Sequence, residues 1–327
     1  MSYPQISPFA SGHIACSAGN EIYWEASGNP QGKPALYLHG GPGSGLGSGR
    51  YRSHFDPDRY FIIGIDQRGC GRSRPSAAST GVDLQQNTTA DLISDIEHVR
   101  ARLGVRQWLV SGVSWGSTLA LAYAQAHPAR VSELVLLAVT TTSRAEIDWI
   151  TGHMGRIFPE AWERLEAASG KGREERLIEA YARRLAGKDV VDRVLAARAW
   201  NEWESVHISL DPNFAPAGKL RSDEQLLEFA TLVTHYWAND GFLRDGAEIL
   251  NNMSRISHIP AVLIQGRRDI SSPAITAWRL HQAWPTSRLC MVEEEGHGGP
   301  QSVRQMQIAL DGFARGATHG ELAGVEP

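Results

Sequence analysis

Short continuous apolar runs recur along this chain and narrow its fold sharply: ALYLHG (35–40), FIIGID (61–66), QWLVSG (107–112), SELVLLAV (132–139), AVLIQG (261–266) and RLCMVE (288–293). Runs of this length, punctuated by glycine or proline, suit strands covered on both faces, as in a parallel sheet. Helix-like segments lie between several of them, such as TTADLISDIEHVRARLG (88–104) and STLALAYAQAH (117–127). Thr88 or Thr89 is placed to cap the first of these and Gly104 to close it. The alternation predicts an α/β, doubly wound sheet. HIACSAGNEIYWEAS (13–27) reads as two strands about a Gly-Asn turn, so an antiparallel start is expected.

Between about 141 and 250 the beat fails. Arg, Glu, Ala and Trp dominate there, with helix-like stretches such as EERLIEAYARRLAG (174–187), and the sheet pattern resumes at Pro260. The expected division is a core over 1–140, a helical insertion over 141–250 that caps the site, and the rest of the core over 251–327. The Gly- and Ala-rich tail from about 314 is expected to be loose.

With 327 residues the chain can bury a large core, and 42% hydrophobic with 21% charged residues is ordinary for a soluble enzyme. A net charge of −4 leaves no footprint for nucleic acid or an anionic membrane. No apolar run approaches the roughly 18 residues a membrane span needs, and MSYPQISPFASGH lacks the basic start and apolar core of a secretory signal. Cys16, Cys70 and Cys290 are scattered without metal-type spacing. A reducing compartment is therefore expected, the cytoplasm by default.

Gly112-Val113-Ser114-Trp115-Gly116 fits G-x-S-x-G between a strand and a helix, the setting in which that pattern carries meaning. The turn is so tight that side chains two residues either side of the serine would collide. It lifts the hydroxyl clear of the sheet, near a helix N-terminus. A serine hydroxyl is a weak nucleophile near neutral pH and needs a base. Asp269 follows AVLIQGRR just past a strand, and His297 sits in EEEGHGGP after the last one, giving the chain order Ser, Asp, His. His297 would shuttle the proton while Asp269 fixes the imidazole tautomer. The competing reading of Asp269 is an ion pair with Arg267 or Arg268. HGGPGSG (39–45) follows the strand at 35–38, and its glycines let backbone N–H groups approach a substrate. Gly41 and Trp115 are the expected oxyanion donors.

HGGPG (39–43), DQRGCGRS (66–73), NTTADLISDIE (87–97), SWGSTLALAYAQAHP (114–128) and GRRD (266–269) together resemble the prolyl aminopeptidases, or proline iminopeptidases, of the α/β-hydrolase fold. The resemblance runs from about residue 12 to 313. It implies a serine peptidase, without metal or cofactor, that removes an N-terminal residue, typically proline, from a small peptide. It also implies that DQRGCGRS is scaffold whose charges brace the site, with Cys70 not required to react. WNEWE (200–204) resembles the family's W-x-x-W-E, whose glutamate helps hold the substrate ammonium, here Glu204. On a helix Trp200, Trp203 and Glu204 share a face, and aromatic walls around a carboxylate suit an ammonium.

Three positions depart from the family pattern. Val113 stands where the family has glycine, and Leu137 where it has a substrate-facing arginine. Val233 stands where it has a second glutamate for the substrate amine. A charge-assisted hydrogen bond is worth roughly 1.5–3 kcal/mol, so losing one lowers affinity by one to two orders of magnitude. Glu202, Glu228 and Asp240 are the cap acids that could stand in for it. The expected activity is amide hydrolysis by an aminopeptidase, of proline type or shifted preference. The alternative is a specialised amidase, esterase or peptide-tailoring hydrolase acting on a bulky apolar small molecule. Epoxide opening through a covalent aspartate is disfavoured by Ser114, leaving only a non-covalent route. A catalytically silent binding protein is the reading from another class, and the intact Ser114, Asp269 and His297 count against it.

Overall fold

The computed structural model describes residues 2–208, 210 and 222–316. Eight strands form one sheet: β1 (Ala10–Ala15), β2 (Glu21–Gly28), β3 (Lys33–Leu38), β4 (Tyr60–Ile65), β5 (Trp108–Val113), β6 (Val131–Leu137), β7 (Ala261–Gly266) and β8 (Ser287–Val292). Their order is β1-β2-β4-β3-β5-β6-β7-β8. The first two pairings are antiparallel and the other five parallel. The antiparallel start is present, but the connection is wider than a two-residue turn. It spans Cys16–Asn20, with Ala18 and Gly19 both in the left-handed region.

Each apolar run serves both faces of the sheet, as its lack of polar alternation predicts. Leu36, Leu38, Val110, Leu134, Leu136 and Leu263 pack with α1 (Thr89–Arg102), α2 (Trp115–Ala126) and, later in the chain, the helix Ile275–Gln282. Ala35, Leu109, Val135, Leu137, Val262 and Ile264 pack with the final helix, Pro300–Ala314. Thr88 caps α1 through a reciprocal bond with Asp91, and Gly104 follows its end in a left-handed conformation. The segment of the tail beyond 316 lies outside the described residues.

Between β6 and β7 the chain runs through α3 (Arg144–Asp148), α4 (Pro159–Ser169), α5 (Leu177–Leu185), α6 (Val190–His207) and α7 (Asp223–Ala238), before α8 (Ile275–Gln282) and α9 (Pro300–Ala314) complete the core. Trp200 anchors this helical layer, meeting Tyr181 and Trp237 edge to face with centroids 5.4 and 5.8 Å away. Among the described residues, no helix is long and apolar enough to cross a membrane.

The sheet order reverses between β3 and β5: the chain leaves β3 toward β4 on one side and returns to β5 on the other. The carboxyl ends of strands flanking such a reversal leave a crevice, the usual ligand position in open α/β sheets.

Candidate active site

β5 ends at Val113 and α2 begins at Trp115, so one residue makes the strand-to-helix turn. That residue is Ser114, at φ 56° and ψ −125°, a strained conformation for a side chain with a Cβ. The glycines around it are required sterically. A Cβ on Gly112 would lie 2.2 Å from the Gly116 carbonyl oxygen, and one on Gly116 would lie 2.1 Å from that of Leu38. The Ser114 N–H is held by the Leu137 carbonyl at 2.9 Å, and the Ser117 hydroxyl donates to the Ser114 carbonyl at 2.7 Å. The backbone is thus pinned on both sides while the Ser114 side chain faces a cavity.

Asp269 and His297 come from the loops after β7 and β8. His297 Nδ1 lies 2.9 Å from Asp269 Oδ2. The other carboxylate oxygen accepts from the Ser272 N–H at 2.9 Å, and Asp269 is 3% exposed. Arg267 and Arg268 pair instead with Glu293 and Glu294, which removes the ion-pair reading of Asp269. Burial depresses the His297 imidazole, but the charge and hydrogen bond of Asp269, reinforced by the charge of Glu204, lift it above the ordinary histidine value. Glu295 fixes the His297 loop by accepting from the N–H groups of Gln301 and Ser302, in the first turn of α9.

The glycine loop after β3 is tied to the serine turn through Gln67. Its Nε2 donates to the His39 carbonyl at 2.9 Å, and its Oε1 accepts from the Trp115 indole at 2.9 Å. His39 Nε2 accepts from the Gln67 N–H, so Nδ1 carries the proton and donates to Gly40. Gly41 has φ 113°, open only to glycine, and both Gly41 and Trp115 line the cavity. The Trp115 N–H is among the first of α2, where donors have no intrahelical partner. The Asp66–Ser73 turn supports this loop: Asp66 accepts from the N–H groups of Leu46 and Arg72, and Arg72 also pairs with Glu25. Cys70 is fully buried, and burial pushes its thiol well above the ordinary value.

The cavity, about 260 Å³, lies between these loops and the helical layer. Ser114, His297, Gly41, Trp115 and Glu204 all line it, as does Val113. Trp200, Trp203, Val233 and Leu137 do not; each is buried, at 0, 1, 0 and 5% exposure. The two tryptophans pack inside the cap and set the rotation of α6, while Leu137 contributes its carbonyl to the serine turn. Val233 shares its face of α7 with Phe229 and Trp237, the residues of that helix that reach the cavity. Glu202 pairs with Arg164, Glu228 receives Gly71 and Ser76, and Asp240 pairs with Arg144 and Arg244. None of these acids lines the cavity.

His207 and Gln265 are among the residues at the site that carried no signal in a motif. His207 lines the cavity one turn after Glu204 on α6, a spacing of three residues that marks a shared face. Gln265, the last side chain of β7 before Gly266, bonds Asp269. Elsewhere Cys16, Asp95 and His98 converge. There the Asp95 carboxylate takes Arg68 in a two-pronged pair, and burial with the Asp95 charge pushes the Cys16 thiol up to about 12, so the donor set does not suit a metal ion.

A serine on a sharp strand-to-helix turn, with an imidazole–carboxylate pair on later strand ends, defines an α/β-hydrolase. The chain matches the alpha/beta hydrolase fold family over residues 33–299. VinJ, whose crystal structure shares 18% sequence identity, superposes with a TM-score of 0.64 over 95% of this chain and 100% of its own. A probable proline iminopeptidase of Streptomyces coelicolor is 44% identical over 321 residues, 97% of this chain and 98% of that one. The proline iminopeptidase of Neisseria meningitidis serogroup B is 45% identical over 90% of this chain and 92% of its own. The chain belongs to the proline iminopeptidase family and is a serine hydrolase of that type.

Proposed function

We propose that this chain is an aminopeptidase that releases the N-terminal residue, proline or another, from small peptides. In this reading Ser114 Oγ attacks the carbonyl of the first residue while His297 Nε2 takes its proton. His297 then delivers that proton to the leaving amine, and a water repeats the cycle on the acyl-enzyme. Asp269 holds the tautomer and stabilises the imidazolium. The N–H groups of Gly41 and Trp115 receive the developing oxyanion.

The observation that carries an amine substrate is Glu204. Its carboxylate lies in the Ser114 cavity, close enough to raise His297. A largely buried carboxylate in the cavity of the nucleophile attracts an ammonium and disfavours a blocked, neutral amine. The apolar walls (Ile147, Ile150, Phe229 and Trp237) favour a second reading, an amidase or esterase for a bulky apolar ligand. A turnover panel separates the two: prolyl and other aminoacyl anilides, their N-blocked forms, and aryl esters. Cleavage of free-amine anilides, lost in Ser114→Ala, supports the first. Turnover confined to blocked amides or esters replaces it with the second.

A further inference from the structure

His207 closes the cap side of the cavity with an unusual set of contacts. It is 1% exposed. Its Nδ1 lies 2.8 Å from Ser271 Oγ, and the Ser271 hydroxyl donates to the His207 carbonyl over 2.9 Å. A hydroxyl has one proton to give. With that proton committed to the carbonyl, Ser271 Oγ accepts at the ring, so Nδ1 is the protonated nitrogen and Nε2 carries a bare lone pair. Among the described residues Nε2 has no hydrogen-bond partner. It stands 3.8 Å from Glu204 Oε2, too long for a hydrogen bond and wrong in kind, since both atoms are acceptors.

Two acceptors facing each other at this distance call for a donor between them. We propose that His207 Nε2 and the Glu204 carboxylate form a two-acceptor clamp for the substrate's N-terminal ammonium, selecting amines that carry at least two N–H groups. The proposal rests on the reading above in one respect, that Glu204 meets the amine.

The geometry fits. A nitrogen about 2.9 Å from both atoms sees them roughly 80° apart, so each N–H···acceptor bond from a tetrahedral centre bends by only about 15°. The charge balance fits as well. Burial, with the charge of His297, lowers His207 to about 3, so the ring is neutral at working pH and stays an acceptor. At the clamp one carboxylate then meets one ammonium, without the desolvation and repulsion a second carboxylate there would bring. Glu146, the other carboxylate lining the cavity, is engaged by the hydroxyls of Thr140, Thr141, Ser143 and Thr276. This explains how fully buried Val233 can occupy the place of the second glutamate: the second acceptor comes from α6 instead. His207 touches the amine and not the scissile carbonyl, so it is a specificity residue.

Binding to the Ser114→Ala protein, followed by calorimetry, tests this with two probes. L-Prolinamide presents two N–H donors and N-methyl-L-prolinamide presents one, at the same charge. The expected gap between them is about tenfold. His207→Phe, which keeps a ring but has no acceptor, is expected to close the gap to within about twofold. His207→Gln, whose side-chain oxygen still accepts, is expected to restore most of it, which a purely structural role would not do. Should the phenylalanine variant lack a cooperative melting transition, Ser271→Ala carries the test. Freeing Nδ1 lets the proton move to Nε2, and the gap narrows to about threefold or less. Absence of prolinamide binding, equal affinity for the two probes, or a gap unchanged by these substitutions overturns the clamp. Since the protein titrated has no nucleophile, the result is independent of turnover. A clamp that titrates as expected in a protein that cleaves only esters would leave the clamp standing and remove the peptidase reading.

Discussion

Gln265 Nε2 donates to Asp269 Oδ2 over 3.3 Å, from four residues back along the same chain segment. The same nitrogen donates to the Ser272 carbonyl at 2.6 Å, and the side-chain oxygen accepts from the Val139 N–H at 2.8 Å. One fully buried amide therefore ties the Asp269 loop to the segment that follows β6. Gln265→Met keeps the length and removes all three bonds. Asp269 still meets His297, but its orientation loosens, and in the proposed mechanism small misplacements of that carboxylate are costly. Steady-state kinetics are expected to show kcat down about 10–100-fold with KM within about twofold. Orphaning the Val139 N–H is expected to lower stability by about 1–3 kcal/mol in urea titrations. An unchanged kcat would mean that Asp269 is held by Ser272 alone.

The pH profile follows from His297. In the proposed mechanism His297 acts as base and must be neutral, and Asp269 and Glu204 both favour its charged form against the effect of burial. Activity is therefore expected to rise with pH along an acid limb centred above the ordinary histidine value of about 6.5. Glu204→Gln removes one of the two charges and is expected to move that limb to lower pH, measured as kcat/KM on a substrate without an amine. Asp269→Asn is expected to move it further and to lower kcat by about 10⁴-fold, as the imidazole loses its fixed tautomer. A limb that shifts upward in Glu204→Gln would contradict the charge argument.

Which parts were legible in the sequence follows from what each part depends on. The strands were, because burial on both faces leaves continuous apolar runs, and the serine turn was, because backbone collisions at Gly112 and Gly116 admit one residue type. Ser114, Asp269 and His297 were candidates because each follows a strand, and the structure brings Asp269 and His297 into contact. The cap was harder to read. Trp200 and Trp203 share a helix face with Glu204, yet that face turns its tryptophans into the cap interior and only Glu204 and His207 toward the cavity. Spacing along a helix gives the face but not the direction in which it points. His207 was missed for a related reason. A histidine gains meaning from its tautomer, which is set by Ser271, distant in sequence and adjacent only in the fold.

The serine turn also sets a steric test. A Cβ at Gly116 would sit 2.1 Å from the backbone oxygen of Leu38, which belongs to a central strand and has no rotamer to relax into. Gly116→Ala is expected to cost about 3 kcal/mol or more, since overpacking against backbone is at the upper end of its range. The fall should appear in the denaturation midpoint, with soluble yield reduced in step. Gly152→Ala is the control: a Cβ there meets nothing within 4 Å, and the midpoint is expected to stay put.

Acid sensitivity should come from buried histidines, His207 and His54 among them and His39 and His235 shifted the same way by burial, not from His297. Burial, with the charge of His297, lowers His207 to about 3, and burial, with the charge of Arg50, lowers His54 to about 4. In the unfolded chain each takes a proton near 6.5. Below that pH the unfolded state binds more protons than the native one, so stability falls as pH drops from about 6.5 toward 4, by up to about 1.4 kcal/mol per pH unit for each group. His297 has the opposite sign. Its raised value gives a contribution that is complete below about 6.5 and lost as pH rises through its folded value. Urea midpoints compared at pH 7 and pH 5 should therefore show a clear loss in the parent protein and a smaller one in His207→Gln, which has nothing to protonate at that position. Equal losses in the two proteins would mean that His207 already carries its proton in the folded state, in which case its Nε2 would be a donor and the pairing with Glu204 an ion pair.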